Sequence, residues 1–227
     1  MSAPDAKSIR VMIADDHAIF RAGLRRLIDD HPEMVVIGEA GNCAEVIAIA
    51  ALEQPHIILL DTDLGGESAL DLLREMVATC EGAQVIILTG VHDPEIHRRA
   101  IALGAAGLVF KAQDAGILIQ AIKKVYAGGV WLDPSMMAKM IVESSRSSEA
   151  GEDDPHAVRV AALTRREREI ITLVAQGLGR KQIAGSLFIS ETTVRNHLTS
   201  ILRKLDLRNR FELAIYAYRH KLVRPPA

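Results

Sequence analysis

Cysteine is scarce in this chain: 227 residues hold only Cys43 and Cys80. Apolar or small residues flank both, and no His or Cys lies at metal-ligand spacing from either. They read as buried free thiols, which excludes a disulfide scaffold or a zinc finger as the organising device. Long apolar runs are also missing, since none approaches the roughly 20 residues of a membrane-crossing helix. The first residues, Met1-Ser2-Ala3-Pro4-Asp5, lack a basic region followed by an apolar stretch, so no leader is read there. The expectation is a cytoplasmic protein with no membrane partner. Compositional bias is confined to one short segment, and 49% hydrophobic with 25% charged residues excludes a fibrous or largely disordered chain.

What is present begins with an uneven charge distribution. Residues 1–155 carry 13 Lys+Arg against 24 Asp+Glu, or −11; residues 156–227 carry 14 against 5, or +9; together these give the net −2. The length suffices for two modest domains with cores of their own. An acidic part joined to a basic part implies two tasks, and the basic part makes nucleic acid a candidate partner, because phosphate contacts supply most non-specific affinity.

The acidic part alternates short apolar runs, Ile9–Ala14, Met34–Gly38, His56–Leu60, Gln84–Thr89 and Gly107–Phe110, with longer amphipathic segments. Helix punctuation lies between them: Asn42 with Glu45 as a capping box, Asp93-Pro94 at a helix start, Gly104 and Gly128 at helix ends. Strand-then-helix repeated five times predicts an α/β fold, a doubly wound five-stranded parallel sheet covered on both faces. In such a sheet ligands bind at the carboxyl edge of the strands. That edge receives Asp15-Asp16 after the first strand, Asp61 after the third, Thr89 after the fourth and Lys111 after the fifth. Singly, each has a plain reading as a cap, a turn former or a solvated charge. Jointly, the carboxylates would repel unless a cation joined them, and hard oxygen ligands with one open side suit Mg2+. A carboxylate nucleophile beside Mg2+, with Lys111 to neutralise a phosphoryl group and Thr89 to donate to its oxygen, suits phosphoryl transfer onto Asp61.

In these residues, in their order and spacing, residues 7–128 resemble the receiver domain of bacterial two-component response regulators, a CheY-like fold. The resemblance implies that Asp61 is the phosphoacceptor served by a sensor histidine kinase. It implies further that Asp15, Asp16, Asp61 and the backbone carbonyl of Asp63 hold Mg2+, and that Thr89 and Lys111 complete the site. Three features depart from the family. Leu64-Gly65-Gly66 stands where Met-Pro-Gly is usual, which removes a rigidifying proline. Leu108 replaces the switch aromatic three residues before the lysine, and Phe110 has the wrong parity along the strand to substitute for it. Gly90 follows Thr89 where alanine is more typical.

Residues 129–160 read as a connector, with a short helix at Ser135–Val142 followed by a Ser- and acid-rich flexible linker at 143–155. Beyond it, Thr164-Arg165-Arg166-Glu167 is a capping box opening a helix that Gly177 stops. A second helix spans about Arg180–Leu187, and a third, capped by Ser190, runs to about Leu205. On the third, Val194, Leu198, Ile201, Leu202 and Leu205 form an apolar stripe opposite Thr192, Arg195, Asn196, Thr199 and Arg203. Such a polar face suits either a solvated bundle surface or a major groove, where Arg addresses guanine and Asn adenine.

Residues 161–224, and 163–221 most closely, resemble the LuxR-type helix-turn-helix of the NarL/FixJ subclass. The likeness lies in Leu163-Thr164-Arg165-Arg166-Glu167-Arg168-Glu169, Gln176-Gly177, Lys181-Gln182-Ile183-Ala184 and Ile189-Ser190-Glu191-Thr192-Thr193-Val194-Arg195-Asn196-His197. It implies base contacts from Arg195, Asn196 and Thr199, and phosphate contacts from Lys181, Thr193, His197, Arg203 and Lys204. It also implies a homodimer on double-stranded DNA, joined through a last helix at about Asn209–His220, with Leu213, Ile215, Ala217 and Tyr218 as contact or core residues. The expected function is a transcription regulator, not an enzyme, controlled by phosphorylation of Asp61. A phosphorylation-independent regulator is the alternative. An Asp-nucleophile phosphohydrolase is the more distant one, since such enzymes carry their Asp-x-Asp motif after the first strand.

Overall fold

The computed structural model describes residues 8–79, 82–91, 93–131 and 155–223. The chain divides into two compact units, Met1–Tyr126 and Ala127–Ala227.

In the first unit β1 (Ile9–Ala14), β2 (Met34–Ala40), β3 (Ile57–Asp61), β6 (Gln84–Thr89) and β7 (Gly107–Phe110) form one sheet in the order β2-β1-β3-β6-β7. Every pairing in it is parallel. Between the strands run α1 (Ala18–Asp29), α2 (Cys43–Glu53), α3 (Ala69–Thr79) and α4 (Pro94–Ala102), and α5 (Ala115–Tyr126) follows the last strand. All five residues of the central β3 are buried, as an unbroken apolar run requires when both faces of a parallel sheet are covered.

The helices start where the punctuation places them. Asn42 accepts from the Glu45 amide at 3.0 Å, although the Glu45 carboxylate accepts from the Gly41 amide at 2.7 Å in place of the N-cap amide. Asp93 caps α4 with Pro94 behind it. Two strands end later than their apolar runs suggest. β2 continues through Glu39 to Ala40, both still in register with β1, while the Glu39 carboxylate pairs with Arg21 and Arg25 of α1. β3 begins at Ile57, one residue after His56, and includes Asp61 itself.

After β3 a feature appears that the sequence did not announce. β4 (Asp63–Leu64) and β5 (Glu67–Ser68) form a small antiparallel hairpin. Gly65 and Gly66 turn it with φ of 69° and 91°, the left-handed conformations of a two-residue turn that glycine adopts without strain. The Gly66 amide donates to the Asp63 carboxylate at 2.8 Å. The missing proline is thus offset by a hydrogen-bonded turn. Cys43, expected to be buried, is half-buried at the first position of α2; Cys80 lies outside the described residues.

The second unit opens with α6 (Pro155–Ala161), a helix where a linker was expected as far as residue 160. Arg159 fixes it, donating to the Leu205 carbonyl at 3.3 Å. The short helix expected at 135–142 and the linker up to residue 154 fall outside the described residues. Then come α7 (Arg165–Ala175), α8 (Arg180–Leu187), α9 (Glu191–Leu205) and α10 (Arg210–Arg219). Val194, Leu198, Ile201 and Leu205 of α9 are buried, and Leu202 is half-buried. In α10, Leu213, Ala217 and Tyr218 belong to the core while Ile215 is half-exposed. Among the described residues no helix is long and apolar enough to cross a membrane.

The capping box of α7 does more than cap. Glu167 is 3% exposed; it accepts from the Thr164 amide at 2.8 Å, Ser200 Oγ at 2.9 Å and Lys204 Nζ at 2.7 Å. Burial opposes the charged carboxylate, but these donors, Lys204 foremost, overcome it and hold its pKa at about 2, below the ordinary 4.5. A depressed carboxylate stabilises the fold fully above its unfolded value and ceases to do so as the pH falls through its folded one. Glu167→Gln is therefore expected to lower the unfolding free energy of the C-terminal unit at pH 7 by on the order of 2–3 kcal/mol. The gap to wild type should narrow steadily below pH ~4.5, measured by denaturant titration at several pH values.

Candidate acidic site and nucleic-acid interface

Strand register sets the acidic site. Ala14 pairs with Leu60 and Thr89 with Phe110, so Asp15 falls beside Asp61, and Lys111 follows the last strand at the same rim. Asp15 and Thr89 are fully buried and Asp61 is 4% exposed. Lys111 Nζ lies 2.6 Å from Asp15 Oδ2 and 2.6 Å from Asp61 Oδ2, and 4.7 Å from the centroid of the Phe20 ring. One ammonium thus serves two buried carboxylates, with an aromatic face supporting the cation from α1.

The electrostatics follow from that sharing. Burial raises the pKa of Asp61; Lys111 and the Asp63 amide pull it down, Asp15 pushes it up, and the net is upward. For Lys111 burial disfavours the ammonium, but Asp15 and Asp61 outweigh it, so its pKa is raised and the cation is secure. Two carboxylates facing one cation leave local negative charge uncompensated.

Asp16 and His17 close the site on its solvent side. His17 Nδ1 stands 2.7 Å from Asp16 Oδ1 and 3.3 Å from Asp15 Oδ1. Ligand-type atoms of Asp15, Asp16, His17 and Asp61 all lie within 4.8 Å of one another. The Asp63 carboxylate is outside this group, committed to the hairpin turn. An open cavity of about 800 Å3 borders Asp61 and Lys111 and extends between α1 and α5 past Phe20, Leu24 and Leu118.

Thr89 reaches the rim, but its hydroxyl is engaged locally, donating to the Val91 carbonyl at 3.2 Å and accepting from the Val91 amide at 3.1 Å. The same carbonyl meets His97 Nε2 at 3.0 Å, and the buried His97 ring packs edge-on to Phe110 at 5.5 Å. Leu108 is 1% exposed inside the sheet. The threonine therefore connects to an aromatic through Val91 and His97, a route the strand parity of Phe110 did not suggest. His17 and Phe20 were also missed, because each reads alone as an ordinary residue at a helix start.

In the second unit α9 presents Thr192, Arg195, Asn196, Thr199 and Arg203 exposed on one side, with Lys181 exposed on α8. Thr193 and His197 are half-buried, and Thr193 Oγ1 shares a 2.8 Å hydrogen bond with the Ser190 cap. Thr199 Oγ1 donates to the Arg195 carbonyl at 3.1 Å. Lys204 departs from its expected role. Its ammonium is bound to Glu167 and, at 3.1 Å, to the Ala162 carbonyl, which makes it an internal tie between α9 and α7.

Comparison with known proteins is consistent over most of the length. Residues 11–123 match the response regulator receiver domain model, and residues 161–217 match that of bacterial regulatory proteins of the luxR family. The nitrate/nitrite response regulator protein NarP of Escherichia coli is 36% identical over 214 residues, covering 93% of this chain and 95% of NarP. The DNA-binding transcriptional activator DevR/DosR of Mycobacterium tuberculosis is 34% identical over 218 residues, covering 96% of this chain and 98% of its own. Among solved structures, the response regulator ChrA of a heme-sensing two-component system is similar with a TM-score of 0.51 at 30% identity, over 96% of this chain and 100% of ChrA.

Proposed function

The chain belongs to the response regulators that join a receiver domain to a LuxR-type DNA-binding domain, and from that premise we propose that Asp61 accepts a phosphoryl group from a sensor histidine kinase and thereby controls DNA binding by α9. The relatives are transcription regulators, and kinase and DNA are the partner classes of the two domains. The observation that carries the reading is Lys111 Nζ at 2.6 Å from both buried carboxylates, at a sheet rim that opens to a cavity.

Asp61 Oδ attacks the phosphorus of a phosphohistidine, the P–N bond breaks, and the imidazole leaves with the electron pair. Lys111 neutralises charge on the transferred phosphoryl oxygens, and Thr89 must leave Val91 to donate to one of them. The donor set fits a hard divalent ion: Asp15, Asp16 and Asp61 bring carboxylate oxygens within 4.8 Å of one another, the Asp63 carbonyl would add one more, and Lys111 alone does not balance their charge. Mg2+ bound there would screen the carboxylates and polarise the phosphoryl oxygens.

The receiver is assigned to residues 7–128, the connector to 129–154 and the DNA-binding unit to 155–224, with α6 now included. Arg195, Asn196 and Thr199 are the assigned base contacts. Lys181, Thr192, Thr193, His197 and Arg203 are assigned to the backbone, and Lys204 to structure. A homodimer on DNA would use the remaining exposure of α10 around Ile215. A phosphorylation-independent regulator is the second reading, favoured by Leu108 in the aromatic position and by the local engagement of Thr89.

Intact mass after incubation with Mg2+ and a small phosphodonor is expected to show one added phosphoryl group on the wild type and none on Asp61→Asn. No adduct on either, with several donors, would favour the second reading. Arg195→Ala is expected to cost ~1–3 kcal/mol on the preferred site and to relax sequence preference. Lys181→Ala should instead weaken binding to all sequences and lower the salt slope by about one counterion. Binding isotherms on matched and scrambled duplexes at several salt concentrations distinguish the two.

A further inference from the structure

Phe188 holds a backbone conformation that its side chain disfavours and that the turn does not ask of an aromatic. It is the C-cap of α8, with φ 53° and ψ 44°, in the left-handed region. A bulky residue there is an outlier, where glycine or asparagine sits with little strain. The bonds that close the helix come from backbone alone. The Phe188 amide donates to the Gly185 carbonyl at 3.3 Å, and the Ile189 amide to the Ala184 carbonyl at 3.0 Å. An asparagine would make both.

Nor does the ring serve the core. Phe188 is 95% exposed, the most exposed large apolar residue among those described, whereas Leu187 and Ile189 on either side of it are half-buried. A lone exposed apolar side chain is ordinary. A disfavoured backbone and a fully hydrated aromatic at one residue are two separate penalties, and backbone outliers of this kind gather at functional positions.

Its place in the chain says what the ring meets. Phe188 lies in the turn into α9, two residues before the Ser190 cap, so the two Cα atoms are within about 7 Å of each other. In a helix-turn-helix the first residues of the second helix meet base edges in the major groove, and here the exposed Glu191 and Thr192 follow the cap directly. The turn is anchored to α7, where Arg166 donates to the Leu187 carbonyl at 2.6 Å. A phenyl ring has no hydrogen bond to give a base edge and no charge for a phosphate. The apolar group that the major groove does present is the C5-methyl of thymine, against which phenylalanine packs.

Resting on the DNA-binding reading of α9 above, we propose that Phe188 is a specificity-determining residue that packs on a thymine methyl at the edge of each half-site, beside the bases that Arg195 and Asn196 address. It adds sequence preference through that methyl group and neutralises no phosphate, so it leaves the salt dependence of binding as it is.

The test selects preferred sites from a pool of random duplexes with the full chain, wild type and Phe188→Asn. Asparagine takes the left-handed conformation readily, so the variant is expected to unfold in denaturant at or above the wild-type midpoint. A lower midpoint would show that the ring has a structural role and overturn the proposal. The wild type should select thymine at one position per half-site where Phe188→Asn selects no base, with the other positions common to both. Replacing that thymine by uracil, which lacks only the methyl, should weaken wild-type binding about fourfold, the worth of one apolar carbon withdrawn from water. The same replacement should leave Phe188→Asn unchanged. A thymine preference shared by both proteins, uracil tolerated by the wild type, or an equal loss in Phe188→Asn on every duplex would overturn the methyl contact; the last would move the ring to the DNA backbone. Positions lost in Arg195→Ala would still stand in each of these cases. Selection of no sequence by the wild type would overturn the DNA-binding reading of α9, and this inference with it.

Discussion

Two buried carboxylates share one ammonium, and the rest of the receiver is built to keep them there. Burial pushes the pKa of Asp61 upward, because a carboxylate taken out of water loses far more than it gains from ordinary packing. Lys111 opposes that, and it can do so only because three different strands end at the same level. β1 delivers Asp15, the central β3 delivers Asp61, and the edge β7 delivers Lys111 one residue past its last pairing. A slip of register on any of these strands would separate the charges. The apolar length of β3 is thus what fixes the chemistry at its end.

The second unit uses the same kind of interaction for a different purpose. Glu167 and Lys204 tie α7 to α9 through a buried carboxylate that also closes the capping box. This holds the polar side of α9 at a defined angle while its apolar stripe fills the core. Exposed side chains are then left for the partner, and buried charges for architecture. The basic excess of residues 156–227 acts at longer range, where it raises the local concentration of an anionic partner without choosing a sequence.

Much of this was legible in the sequence because it rests on periodicity and on caps. The runs Gln84–Thr89 and Gly107–Phe110 are strands to the residue. Thr164 with Glu167 is a complete capping box, as read. What was not legible depends on the third dimension. The family likeness places Lys204 near the DNA phosphates, and only the packing of α9 on α7 shows that Glu167 binds its ammonium. Leu213, Ala217 and Tyr218 could equally face a partner or a core until the neighbouring helices are in place. The hairpin of Asp63–Ser68 escapes because its strands are two residues each, below the length at which alternation is visible. The path from Thr89 through Val91 and His97 to Phe110 joins two separate segments of chain, and no local pattern reveals it.

That path bears directly on control. Thr89 is held by its own loop in this state, so engaging a phosphoryl oxygen at Asp61 would require Thr89 to exchange its partner at Val91, and the His97 contact to the same carbonyl would be disturbed with it. Leu108 fills the place where other receivers carry the mobile aromatic. The measurement that tests control most directly is the dissociation constant for a target duplex at fixed salt, with and without phosphodonor, for wild type and Asp61→Asn. Tightening by at least about tenfold, the low end of ordinary allosteric coupling, in the wild type alone is the expected result. Equal affinity under all four conditions, with phosphorylation of the wild type verified by mass, would contradict the claim that Asp61 governs DNA binding.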